Sequence, residues 1–137
     1  MFRLKAVYAT ACLAVLAYGT TAAAVGLGPL RKSGLTASDR KGFYLTLVNP
    51  YPQSDHFRAY IDPESEIDPK RVSILPDTML VGSKKSRKIL VVVNDLTPGE
   101  EVVFRVCAER LEEEKVIVHV RVCSKLGARR IAPRPQQ

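Results

Sequence analysis

Beyond residue 40 the chain alternates between short apolar runs and turn residues. Phe43 to Val48 is rich in aromatic and β-branched residues, and it stops at Asn49-Pro50-Tyr51-Pro52. Proline lacks the N–H that a central strand must donate. From His56 to Ile61 the pattern has period two, with Phe57, Ala59 and Ile61 on one face and His56, Arg58 and Tyr60 on the other. Arg71 to Leu75 is a short strand ahead of Pro76. Ile89 to Val93 is apolar throughout and closes at Asn94-Asp95 and Pro98-Gly99. Val102 to Arg110 and Val116 to Cys123 flank the run Glu112-Glu113-Glu114 and read as a hairpin. The glutamates favour a helical turn between Cys107 and Val116, but the β-branched flanks favour the hairpin. With a first short strand near Leu30, this gives about seven strands separated by turn signals. The expectation is an all-β chain folded as an immunoglobulin-like β-sandwich, with a barrel as the alternative.

The first residues follow a different pattern. Arg3 and Lys5 precede an apolar run from Ala6 to Ala17, and Ala22-Ala23-Ala24 supplies small residues for cleavage. This is the pattern of a secretory signal peptide, and the apolar run is shorter than the roughly 20 residues a spanning helix needs. The expected organisation is a cleaved signal peptide over 1–24, one domain over 25–131 and a flexible tail over 132–137. No transmembrane segment is expected after cleavage. The expected location is the periplasm.

Export changes the meaning of charge and of cysteine. The 137-residue chain has a formal charge of +7, which falls to +5 once Arg3 and Lys5 leave. That density, outside the cytoplasm, argues against nucleic acid as a partner and admits carboxylates or anionic surfaces. Cys12 leaves with the signal. Cys107 and Cys123 remain as an even pair in an oxidising compartment, so a disulfide is expected. Period-two counting puts both on the polar face of the hairpin. A tight turn centred on Glu113 would pair position 107 with 119, so the bridge needs a longer loop or a bulge.

Catalytic chemistry finds no support. His56 and His119 each stand alone on the polar face of an expected strand, and no nucleophile elbow, metalloprotease motif, P-loop or paired CxxC occurs. Two histidines and two distant cysteines match no common zinc spacing. The acidic residues Glu64, Glu66 and Asp68 lack the glycine turn and ligand spacing of a calcium loop. The expectation is a binding protein with no cofactor, no metal and no enzymatic activity.

The order of the segments resembles a known family. Leu27-Gly28-Pro29-Leu30-Arg31, then Gly42 to Pro50, is similar to the opening of the periplasmic pilus-assembly chaperones of the chaperone–usher pathway. Val72 to Pro76, Arg87 to Val93 and Phe104 to Ala108 resemble that family's middle strands. Arg129-Arg130-Ile131-Ala132-Pro133-Arg134-Pro135 resembles the end of its first domain. The resemblance implies a module that lends a strand to an exported, pilin-like subunit and grips that subunit's C-terminal carboxylate. It also admits an usher as a partner. By position Arg31 and Arg130 are the implied carboxylate anchors, although Lys125 or Arg129 would serve as well as Arg130. The implied donor side chains are Val116, Val118, Val120 and Val122. Counted back from Arg130, the donor window falls on Cys123, Ser124, Lys125 and Gly127, so the valines join it only across a gap. The alternative is a structural or accessory sandwich module of a cell-envelope or pilus assembly.

Overall fold

Strands with one apolar face must bury it, and here two sheets bury their apolar faces against each other. The computed structural model describes residues 25–111 and 120–134. The expected signal peptide at 1–24, Val116, Val118, His119 and the glutamate run lie outside the described residues. So do the last three residues of the expected tail.

The strands are β1 (Gly26–Gly28), β2 (Arg31–Thr36), β3 (Lys41–Val48), β4 (Asp55–Ile61), β5 (Val72–Leu75), β6 (Thr78–Val81), β7 (Ser86–Val93), β8 (Glu101–Arg110) and β9 (Arg121–Arg130). A single 3-10 turn at Pro69–Arg71, capped by the Asp68 side chain, precedes β5. One sheet has the order β1-β3-β7-β5, the other β2-β9-β8-β4-β6. The expected β-sandwich is therefore present. Its segments number nine because the expected first strand divides and because β6 went unread. The first strand pairs with β3 as β1, crosses at Pro29-Leu30, and pairs with β9 as β2. The chain changes sheet in the same way between β5 and β6, across Pro76-Asp77.

Phe43, Leu45 and Leu47 of β3, Ile89, Val91 and Val93 of β7, Phe57 of β4 and Phe104 and Val106 of β8 fill the space between the sheets. Each fully buried side chain of this size stabilises the fold by about 1.5–3 kcal/mol. Asn49 ends β3 and is itself buried. Its amide donates to the carbonyls of Gln53, Val81 and Gly82, and its Oδ1 accepts from the Tyr51 N–H. The Asn-Pro stop read from the sequence is thus also a clip between β3 and the β6–β7 turn.

The cysteine pair is bridged, Cys107 to Cys123, with a Cα–Cα distance of 4.0 Å. The two are direct partners in the β8–β9 register. The tight turn considered from the sequence is replaced by the longer connection 111–120, which shifts the pairing from 119 to 123.

Candidate functional site: the open rim of the last strand

β9 is covered along only part of its outer edge. β2 runs parallel to it from Arg31 opposite Lys125 to Thr36 opposite Arg130. Two bonds fix the point where this cover begins. The Lys125 N–H donates to the Leu30 carbonyl at 2.8 Å, and the buried Ser124 hydroxyl donates to the Pro29 carbonyl. N-terminal to that point, among the described residues, no strand pairs with the outer edge of β9.

The alternation of the ladder tells which groups line this rim. The Lys125 N–H faces β2, and the Arg130 N–H faces β8, where it reaches the Glu100 carbonyl. Backbone groups alternate sides along a strand, so odd-numbered residues of β9 face outward. Arg121 and Cys123 therefore present their main-chain N–H and C=O groups to the open rim. Val120 precedes them and is 50% exposed, while Val122 is half-buried against the core. Of the four expected donor valines, these two are described.

Beside the rim is a row of cations. Arg31, Lys125 and Arg105 are register partners across β2, β9 and β8. Like charges directly opposite one another destabilise a sheet. None of the three has a carboxylate within ion-pair distance among the described residues. A shallow depression of about 290 Å³ is lined by Arg31, Lys32, Ser33, Lys125 and Gly127, with Glu101 and Val103 on its far side. Such a row offers charge-assisted hydrogen bonds to an anion.

Arg31 and Arg130 do not share this place. They stand at opposite ends of the β2–β9 ladder, five rungs and about 16 Å apart at the usual rise per residue. The Arg130 guanidinium donates to the Leu96 carbonyl at 2.7 Å. Counting back from Arg134-Pro135 led to Arg130 because the sequence alone does not give the register. The ladder brings Lys125 to Arg31 instead. A window counted back from Lys125 in place of Arg130 falls five residues earlier, on Val118, His119, Val120 and Val122.

The row next to the rim is held by paired charges. Arg121 Nη1 lies 3.7 Å from Oδ1 of the buried Asp62. The Tyr60 hydroxyl and the Asp62 carboxylate together raise the Arg121 pKa above its ordinary value. Glu109 accepts from Arg58 and from the Tyr60 hydroxyl. Asp62 lies close to both cysteine sulfurs, but those are bonded to each other and offer no thiolate to a metal. His56 is exposed on β4, far along the chain from any such cluster.

No family model and no curated protein matches this sequence. Solved structures do. The E. coli chaperone DraB superposes with a TM-score of 0.63 at 19% identity, covering 82% of this chain and 57% of DraB. The Salmonella enterica chaperone SafB, solved in complex with the SafA pilin, gives 0.62 at 17% identity, covering 78% of this chain and 54% of the other. The fold is that of the PapD-like chaperones. The chain spans a little over half the length of these two bacterial chaperones. A PapD-like domain of human CEP192 gives 0.61 at 12% identity, with 80% of this chain and 87% of that domain covered. The PapD-like fold thus also occurs in a protein not named as a chaperone, and function has to be argued from the rim and the cation row.

Proposed function

We propose that the protein is an exported, non-enzymatic chaperone-type module that holds a pilin-like subunit by strand addition along the open rim of β9. The observation that carries this reading is the juxtaposition of main-chain groups at Arg121 and Cys123, unpaired on the rim side among the described residues, with the Arg31–Lys125 cation row. A guest strand gains affinity from main-chain bonds and specificity from pockets for alternate side chains. The valine series at 116, 118, 120 and 122 supplies the apolar donors, and Arg31 with Lys125 supplies the grip on a terminal carboxylate. Export through residues 1–24 and a periplasmic location belong to the same proposal, as does an usher as a second partner.

The test is co-purification from the periplasm with a pilin-like subunit, followed by competition with a synthetic peptide of that subunit's C-terminal strand. Capture should fall at least tenfold when the peptide's terminal carboxylate is amidated. Equal capture of the acid and amide forms would remove the anchor. Capture that survives blocking the rim, as described in the Discussion, would favour an accessory module that offers a surface.

A further inference from the structure

The outer faces of the two sheets differ in kind. The five-stranded sheet presents charged residues of both signs, among them Arg31, Arg58, Arg105 and Glu109. On the outward-facing positions of the four-stranded sheet, Lys88 is the only charged residue. Tyr44, Leu90 and Leu75 are register partners across β3, β7 and β5 and form a continuous apolar row, with Val92 beside it and Val48 beyond the Thr46–Lys88 rung. Tyr44 and Leu75 are each 59% exposed. The solvated face of an antiparallel sheet is normally polar.

One end of this face carries cations without acids. The β6–β7 turn and the start of β7 hold Lys84, Lys85 and Lys88, all exposed, and Arg87, also exposed, alternates to the other side of β7. The Lys84 ammonium donates to the Pro50 carbonyl, and the Lys88 ammonium lies 6.0 Å from the Tyr44 ring centroid. No carboxylate pairs with any of the four among the described residues. Hydrogen bonding of the Asn49 N–H to the Lys85 carbonyl fixes this turn against the Val48 end of the face.

We propose that the outer face of β1-β3-β7-β5 docks the protein on an anionic lipid surface. Exposed apolar side chains next to a cluster of lysine and arginine are the combination that binds such a surface. Charge decides against a second copy, because the outward positions of this sheet offer no acid to meet the cations in a face-to-face pair. Shape decides against an acidic peptide. Three cavities among the described residues open on the other sheet or at the sandwich edge by β4 and β5, and none of these three lies on this face. The open rim of β9 belongs to the opposite sheet, so docking leaves it accessible.

The test uses protein recovered from the exporting cell, so that any leader is processed as in nature. It is sedimented with vesicles of equal parts phosphatidylglycerol and phosphatidylcholine, and with phosphatidylcholine alone. We expect binding to the anionic vesicles only, released by added salt. Each cation near an anionic surface is worth roughly fivefold in partitioning, so Lys85→Glu with Lys88→Glu should lower it tenfold or more, to about background. Tyr44→Ser with Leu75→Ser should also lower it, with the far-UV spectrum and subunit capture unchanged. Absence of binding, binding indifferent to lipid charge, or full binding by both variants would overturn the proposal. So would a dimer in sedimentation velocity that the Tyr44 and Leu75 variant dissolves. Equal binding to polyaspartate, independent of Tyr44 and Leu75, would assign the cations to an acidic chain instead.

Discussion

Asn49 and Lys125 illustrate two uses of a single polar side chain. Asn49 is buried and fully bonded, so its removal takes a donor from the Gln53 and Val81 carbonyls and the acceptor from the Tyr51 N–H, while the Gly82 carbonyl keeps the Lys85 N–H. An orphaned buried group costs about 1–3 kcal/mol, and Asn49→Ala should lose about 3 kcal/mol in urea unfolding after partial relaxation. Lys125 is exposed and, among the described residues, unpaired between Arg31 and Arg105, so Lys125→Glu should leave stability unchanged or raise it slightly. It should weaken binding of a carboxylate-ended strand at least tenfold by calorimetry, whereas Arg130→Gln should change it less than twofold. Glu100 is a third case. The Arg71 guanidinium donates to both its oxygens at 2.7 and 3.1 Å, and this, with the Thr97 N–H, lowers the Glu100 pKa below its ordinary value. The folded carboxylate is thus the stronger acid. Its stabilisation is complete above the unfolded value and disappears as pH falls through the lowered folded value. Glu100→Gln should cost up to about 1 kcal/mol at neutral pH and flatten the acid limb of a stability–pH curve.

At the scale of elements, β9 carries two separable tasks. Its even-numbered main-chain groups hold it to β8, and its odd-numbered groups face outward, towards β2 from Lys125 on and onto the rim at Arg121 and Cys123. Arg121→Pro removes one outward N–H and leaves the β8 ladder intact, as proline is tolerated on an edge. Strand addition should then fail while the midpoint of thermal unfolding drops only a few degrees, and Arg121→Gln should retain capture. The disulfide fastens the same strand from behind. It closes a loop with a sequence separation of 16, so replacing both Cys107 and Cys123 by alanine should cost about 3 kcal/mol in denaturant unfolding. Much of this strand was hidden in the sequence. Ser124, Leu126 and Ala128 face the core, but two of the three are small, and Lys125, Gly127 and Arg129 between them read as a charged end. Hydrophobic alternation therefore pointed to 116–123. β6 was missed because four residues after Pro76-Asp77 carry too little periodicity, although Met79 and Val81 are buried.

For the whole molecule, the period-two pattern of Phe43 to Val48, Phe57 to Ile61 and Val102 to Ala108 was enough to specify a sandwich, because burial selects those faces whatever the connections. Which strands become neighbours was not legible, since pairing across the β2–β9 ladder joins residues far apart in the chain. The cation row depends on that pairing. Arg31 was singled out from its place in the opening segment, whereas Lys125 is set opposite it only by the register. The proposed lipid-facing surface and the open rim lie on opposite sheets, an arrangement that would orient a held subunit away from the bilayer.

The crossing of the first strand at Pro29-Leu30 sets a length. Wherever the N-terminal segment leaves β3 and lands on β9, it fixes how many rungs remain for a guest. An earlier landing would shorten the berth by one bonding pair for every two residues, and a later one would lengthen it. The Ser124 hydroxyl and the Lys125 N–H act as the stop that keeps this measure constant. Variation in the size of the accepted segment would thus be written in the first strand, far in sequence from the contact it controls.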